Sequence, residues 1–116
     1  MRARSVRFTR EQIAAYADAS GDRNPIHLDD QFAVSVGLPG VIAHGLLQMG
    51  LLASVAVEAV SDHRRLRRLS CRFAGMVRPG DEVSFSAEPA GDGTLRLSAV
   101  NQEGRAVLSK LAGEYS

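Results

Sequence analysis

The feature that most constrains this chain of 116 residues is the apolar stretch from Ile42 to Val60. Its strongly polar members are His44, Gln48 and Glu58, so a helix over this stretch is apolar on every face and must be buried in protein or in a bilayer. Its length approaches the roughly 20 residues of a membrane span. We favour burial in protein, because Gln48 and Glu58 would otherwise lie in hydrocarbon and the later strands need an apolar cover.

The second half of the chain predicts four antiparallel strands that alternate apolar and polar residues. The inward residues of the first three strands are Leu69, Cys71, Phe73, Gly75 and Val77, then Val83, Phe85 and Ala87, then Leu95, Leu97 and Ala99. Residues 105–115 supply the fourth strand. A sheet with one apolar face needs a cover, and only the 42–60 helix is apolar enough. The expected fold class is therefore α+β, with an antiparallel sheet around one long helix in a single domain, residues 1–116.

Ahead of the apolar stretch, the sequence predicts a short strand around Val6 and Phe8, followed by a helix from Arg10 to Ala19. Thr9 is expected to be the N-cap of this helix, with Gln12 three residues later. The Ser20-Gly21 pair ends the helix, because glycine tolerates the left-handed conformation that follows a helix C-terminus.

The loop after this helix carries two candidate catalytic residues, Asp22 and His27. Pro25 blocks helix propagation and biases Asn24 toward extended backbone, so the loop can be rigid until Asp29 and Asp30 cap a helix ending near Val36. A carboxylate and an imidazole held in this way can bind one water molecule between them. The carboxylate then accepts a proton, and the imidazole orients the water or donates a proton. The alternative is that Asp22 only caps a turn and His27 fills a polar niche.

The start of the long helix supplies a third candidate group, the backbone N–H of Gly45. The first N–H groups of a helix lack intrahelical partners and favour negative charge, and glycine lets an oxyanion approach closely. Gly45 also suits close packing of the helix on the sheet, and the two roles are compatible. His44 is expected to hydrogen-bond the nearby loop and support the helix start rather than to catalyse.

Together, a carboxylate, an imidazole and a helix-end amide suit the addition or removal of water across a double bond conjugated to a carbonyl. Negative charge builds on the carbonyl oxygen in that reaction, and preorganised donors lower the barrier by about 3 to 4 kcal/mol each. We predict no metal site and no resident cofactor, because the histidines and the single cysteine, Cys71, show no ligand spacing. Ser20 and Cys71 also lack a base at the spacing that nucleophilic catalysis uses.

Several short motifs carry a resemblance to a known family. They are Phe8-Thr9, Tyr16-Ala17, Ser20-Gly21-Asp22, Asn24-Pro25-Ile26-His27, Asp29, Ala33, Gly37, Ile42-Ala43-His44-Gly45 and Val77-Arg78-Pro79-Gly80-Asp81. The chain resembles the MaoC-like, (R)-specific enoyl-CoA hydratase family, most densely over residues 16–45. It departs from some relatives at Ala53, where they have a serine.

The resemblance implies a hot-dog fold, usually paired into a dimer, and the reversible hydration of trans-2-enoyl thioesters to (R)-3-hydroxyacyl thioesters. Carried onto this chain, Asp22 is the base that activates water and His27 its partner in positioning water and moving the proton. The Gly45 amide binds the thioester oxygen, while Asn24 and His44 support the site. The alternatives are a dehydratase subunit that acts on carrier-protein substrates in lipid or polyketide synthesis, and a noncatalytic module that binds acyl thioesters.

The expected partners follow from this resemblance and from charge. Coenzyme A or acyl carrier protein is expected as the carrier, and a homodimer as the assembly, with a heterodimer of related hot-dog subunits as the alternative. Residues 63–68 are basic and can contact coenzyme A phosphates or an acidic carrier protein, or remain a solvated strand edge. A net charge of +1 and few aromatics argue against nucleic acid. The positive N-terminal residues lack a following apolar region, so we predict no secretory signal and a cytoplasmic location.

Overall fold

Five antiparallel strands form one sheet around a long helix in the computed structural model, which describes residues 1–116. In chain order the elements are β1 (Arg2–Arg7), α1 (Arg10–Ser20), α2 (Asp30–Ser35), α3 (Gly45–Val60), β2 (Leu66–Phe73), β3 (Glu82–Pro89), β4 (Thr94–Val100) and β5 (Leu108–Tyr115). The order of strands across the sheet is β1-β3-β4-β5-β2. Both edge strands contact α3, so the sheet wraps the helix and the predicted α+β hot-dog fold is confirmed.

The core lies between α3 and the inward face of the sheet. Leu52, Val55 and Ala56 on the helix are fully buried, and so are Val83 and Phe85 on β3. Burying a large aliphatic or aromatic side chain contributes about 1.5 to 3 kcal/mol, so this interface is the main source of the fold's stability. None of the helices combines the length and the apolar character needed to cross a bilayer.

The predicted caps of the two short helices are confirmed with one correction. Thr9 accepts a hydrogen bond from the backbone N–H of Gln12, and Gly21 ends α1 with a φ of 82°. Asp29 caps α2 alone. Asp30 instead accepts a hydrogen bond from the N–H of Val41, which ties α2 to the segment that leads into α3.

The long helix begins three residues later than predicted. The N–H of Ile42 donates to the carbonyl of Ile26, and that of Ala43 donates to the carbonyl of Val77, so these residues are extended backbone. Gly45 is therefore the first residue of α3. The prediction that every face of the helix is buried is also wrong for the single chain, because the Leu46 side chain is 62% exposed.

The first strand after α3 ends earlier than predicted. β2 begins at Leu66 and ends at Phe73, because Ala74 and Gly75 both turn their N–H groups to the carbonyl of Val107 and leave the ladder. Two register shifts along β2 break the simple alternation, so Phe73 is exposed. Val77 is buried, but it lies outside any strand.

The bounds of the first and last strands also differ from those predicted. β1 starts at Arg2, and Phe8 lies just beyond it, where its N–H and carbonyl pair with Asp81 and Gly80. β5 starts at Leu108 rather than Arg105, because residues 105–107 bond back to Asn101 and Ala99. β3 and β4 follow the predicted alternation, with Phe85 and Ala99 on the inward face.

Candidate active site

The loop between α1 and α2 is held in shape by its own polar groups. Asp22 accepts a hydrogen bond from the N–H of Asn24 at 3.4 Å, and Asn24 in turn accepts one from Ile26 at 3.2 Å. Pro25 then opens a short 3-10 turn that ends at His27, where loop alone was predicted. The backbone on either side of Asp22 and His27 is thus ordered by neighbours in the sequence.

Three hydrogen bonds tether this loop to the segment just before α3. The N–H of Ile42 donates to the carbonyl of Ile26 at 3.1 Å, and Nδ1 of His27 donates to the carbonyl of Ile42 at 2.8 Å. Nε2 of His44 donates to the carbonyl of Asp22 at 3.0 Å, the contact to the loop that the sequence predicted for His44. These bonds place the loop beside the N-terminus of the long helix.

The side chains of Asp22 and His27 lie close together, one exposed and the other buried. Oδ2 of Asp22 lies 3.9 Å from Nε2 of His27, with the Asp22 side chain 54% exposed and His27 only 9% exposed. Because Nδ1 donates its hydrogen to Ile42, the neutral ring of His27 presents an unprotonated Nε2 toward the carboxylate. Both facing atoms are then acceptors, and a small donor such as water can bridge them.

A cavity of about 440 Å³ joins His27 to the start of α3. Its lining residues are Ile26, His27, Ile42, Ala43, Gly45, Gln48, Phe73, Ala74, Gly75 and Met76. The backbone N–H of Gly45 has no hydrogen-bond partner in the chain, as expected for the first residue of a helix. The structure therefore brings His27 and the Gly45 amide to one cavity, with Asp22 against His27.

The ring of Phe73 covers Gly45 and was not predicted to lie at the site. A Cβ atom added to Gly45 would fall 2.8 Å from the Phe73 ring, closer than real Cβ contacts allow. The Phe73 side chain is itself 57% exposed, so the ring closes one side of the cavity without being locked in the core. The sequence assigned Phe73 to the inward face of a regular strand, and the bulges in β2 change its direction.

His44 is buried and packs against His27. Its ring stacks on His27 with centroids 3.7 Å apart and meets the edge of Tyr16 at 4.7 Å. Burial is the largest cause that lowers the pKa of His44 below 6.5, and the nearby His27 lowers it further. Nδ1 of His44 is buried without a partner, so the ring is a neutral donor to the loop rather than a charged group.

Asp22, His27 and His44 place ligand-type atoms within 4.8 Å of one another, a grouping that the sequence did not predict. A metal ion binds histidine nitrogen in the plane of the ring, at about 2.0 to 2.1 Å for zinc. The two histidine rings are stacked 3.7 Å apart and inclined by only 20°, so one ion cannot lie in both planes at that distance. The geometry therefore suits hydrogen bonding rather than a shared metal.

Comparison with known proteins finds one matching family model and several related sequences. The family model described as MaoC like domain matches residues 1–110. A peroxisomal hydratase-dehydrogenase-epimerase from Neurospora crassa is 32% identical over 96% of the chain, and the fatty acid synthase beta subunit TOXC of Cochliobolus carbonum is 39% identical over 72%. The chain spans only 12% and 4% of those two proteins.

A solved structure matches over nearly the whole of both chains. It is an (R)-hydratase from A. caviae involved in PHA biosynthesis, with a TM-score of 0.80 and 27% sequence identity. The match covers 96% of this chain and 89% of that one. The similarity therefore extends over the fold as a whole rather than over one motif.

The lowered pKa of His44 predicts a pH-dependent stability. The unfolded chain takes up a proton on this residue at higher pH than the folded chain, so the free energy of unfolding falls as pH falls below about 6.5 and is unaffected by His44 above it. Urea unfolding at about pH 5.5 and pH 8 measures this loss. His44→Gln, which keeps a donor for Asp22, is expected to lose less stability over that interval.

Three carboxylates with lowered pKa values affect stability only at lower pH than this interval. Asp30, Asp62 and Asp92 have pKa values lowered by hydrogen bonds, so their contributions are lost only as pH falls to about 3.8 and below. Equal loss of stability in the wild type and in His44→Gln would contradict the assignment of His44 as a buried neutral group.

Proposed function

The chain belongs to the MaoC-like dehydratase family, and we propose that it catalyses the reversible hydration of trans-2-enoyl thioesters to (R)-3-hydroxyacyl thioesters. The observation that carries this proposal is the 3.9 Å approach of Asp22 to His27, beside a cavity that also exposes the free amide of Gly45. Asp22 and His27 can bind and deprotonate water while the N–H of Gly45 donates a hydrogen bond to the thioester oxygen. Members of the family are hydratases and dehydratases, which supports a lyase.

The first step is the attack of water on the β-carbon of the enoyl thioester. Oδ2 of Asp22 and Nε2 of His27 hold the water, and Asp22 accepts its proton as the new C–O bond forms. The electron pair of the double bond moves toward the thioester oxygen, where negative charge develops. The N–H of Gly45 donates to that oxygen at the positive end of the α3 dipole and stabilises the charge.

The second step returns the electron pair to carbon. A proton from the Asp22 and His27 pair goes to the α-carbon, the carbonyl re-forms, and both side chains return to their starting protonation states. The net result is the addition of one hydrogen and one hydroxyl across the double bond. His27 keeps its orientation throughout because the carbonyl of Ile42 accepts from Nδ1.

Asp22→Asn and His27→Ala are each expected to lower the rate of crotonyl-CoA hydration by about 100- to 10,000-fold, because each removes a group that accepts or transfers the proton. The loss of absorbance of the conjugated thioester measures the rate. His27→Asn tests the same point if the alanine variant is unstable, since Asn keeps a donor for Ile42. Circular dichroism checks that each variant is folded.

Matched controls use the same residue types outside the cavity. Asp18→Asn breaks an ion pair with Arg23, and His63→Ala removes an exposed imidazole. Both are expected to retain the wild-type rate. Full activity in Asp22→Asn or in His27→Asn would contradict the role given to that residue, and a null wild-type assay over several chain lengths would favour a noncatalytic module.

A dehydratase that acts on carrier-protein substrates is the second candidate, favoured by the similarity to the beta subunit of a fatty acid synthase. The basic residues 63–68 lie at the far end of α3 from Gly45, about 24 Å along a helix of 16 residues. Arg64 is paired with Asp62, while Arg65 and Arg67 bond to Ser116. These pairings leave the cluster less free to bind a carrier than its charge suggests.

The proposed enoyl-CoA hydratase is expected to use crotonyl-CoA with a higher kcat/KM than the crotonyl thioester of acyl carrier protein. Parallel assays with the two substrates at equal concentration measure the ratio. A ratio in favour of the carrier protein, reduced by Arg64→Ala but not by Arg96→Ala, would identify the dehydratase instead. Arg96 is a suitable control because its exposed side chain also pairs with a carboxylate, that of Glu88 on the neighbouring strand.

We propose that the chain works as a homodimer. Phe73 and Met76 line the cavity and Leu46 follows Gly45 on α3, and all three are large apolar residues more than half exposed, which a second copy would cover. Light scattering is expected to give a mass of about 25 kDa, twice the 12.4 kDa of one chain. A mass of one chain, rising only when a related hot-dog subunit is added, would show a heterodimer.

The cytoplasm is the compartment we propose. The one cysteine, Cys71, is unpaired and partly buried, and this burial raises the pKa of its thiol. A thiol held in its protonated form is poorly reactive, as is usual for a structural cysteine in a reducing compartment.

A further inference from the structure

Gln48 is a buried polar side chain in the wall of the same cavity. It lies in the first turn of α3, three residues after Gly45, and is 3% exposed. Side chains on a helix lean toward its N-terminus, so Gln48 reaches back toward the free amides rather than along the core. Its Nε2 lies 3.5 Å from the carbonyl of His44, which confirms that direction.

The hydrogen-bonding groups of this amide are almost unused. Oε1 of Gln48 is buried with no partner, and the contact from Nε2 to His44 is at the outer limit of a hydrogen bond. A buried polar group without a partner costs about 1 to 3 kcal/mol. Leucine or methionine would fill this position without that cost. The two N–H donors of Nε2 have only the long contact to His44, so the amide keeps donors for a ligand in the cavity.

We propose that the side-chain amide of Gln48 is a second hydrogen-bond donor to the thioester oxygen, next to the N–H of Gly45. This inference rests on the proposed hydration reaction and adds a residue to its oxyanion site. The oxygen of an enolate is negative, so it attracts an N–H and repels a carbonyl oxygen. The amide has two N–H bonds, of which at most one makes the long contact to His44, and Oε1 makes no hydrogen bond that fixes the orientation of the group.

Gln48→Leu separates this role from a structural one. The variant keeps the approximate size of the side chain and removes its donors, so we expect kcat for crotonyl-CoA hydration to fall about 100-fold while KM changes little. The melting temperature is expected to stay level or rise, because a buried unpaired amide is removed. Gln48→Glu keeps the shape and the acceptor but not the donors, and it should be at least as slow.

Gln12 provides a matched control. Its Oε1 is also buried without a partner, but it lies on α1 and does not line the cavity. Gln12→Leu is expected to keep the wild-type kcat. A fall of kcat in Gln48→Leu alone supports the proposal, whereas a Gln48→Leu variant with full kcat overturns it and leaves the amide a structural feature.

Infrared spectroscopy of bound crotonyl-CoA tests the contact without turnover. In the Asp22→Asn background, donation to the thioester carbonyl should shift its stretching band to lower frequency, and adding Gln48→Leu should reduce that shift. A wild type that is inactive, with a band shift that Gln48→Leu reduces, would count against the proposed reaction but support the Gln48 contact. A wild type that is active, with a band shift that is the same with and without Gln48→Leu, would overturn only the Gln48 contact, and a failure to bind would overturn both.

Discussion

The site depends on three hydrogen bonds that fasten the loop of residues 22–27 to the residues just before the long helix. The loop is ordered by its own Asx turns, but these bonds decide where it lies relative to Gly45. Two of them involve Ile42 and one involves His44, so residues 42–44 fix the position of the loop. A helix that began at Ile42 would turn the carbonyl of Ile42 into its own hydrogen-bond ladder, where it could no longer accept from His27.

This arrangement leaves polar groups without partners near the cavity, and the core compensates for their cost. The N–H of Gly45, Nδ1 of His44 and Oε1 of Gln48 are all without hydrogen bonds in the chain. Each unpaired buried group costs about 1 to 3 kcal/mol, which is comparable to the gain from burying one large side chain such as Leu52. Of these groups only the N–H of Gly45 is a donor, so a thioester oxygen bound in the cavity would pair with that group and leave the two acceptors to water.

Local chemistry explains which features could be predicted from the sequence. The caps at Thr9 and Asp29 and the end of α1 at Gly21 depend on near neighbours, and each is in the structure. The apolar helix and the strand alternation predicted a sheet around one helix, the resemblance carried by the motifs implied the hot-dog fold and the family, and both are confirmed. The start of α3 was missed because it depends on hydrogen bonds to Ile26 and Val77, which are distant in sequence. Phe73 was misplaced because bulges in β2 leave no mark on the alternation, whereas Gln48 stood out as a polar residue in an apolar helix.

The central claim is that the carboxylate of Asp22, the imidazole of His27 and the amide of Gly45 act on one substrate. A crystal structure with bound (R)-3-hydroxybutyryl-CoA tests it most directly. We expect the 3-hydroxyl between Oδ2 of Asp22 and Nε2 of His27, with the thioester oxygen within about 3.2 Å of the Gly45 nitrogen. A thioester oxygen bonded elsewhere, or a 3-hydroxyl remote from both side chains, would contradict it.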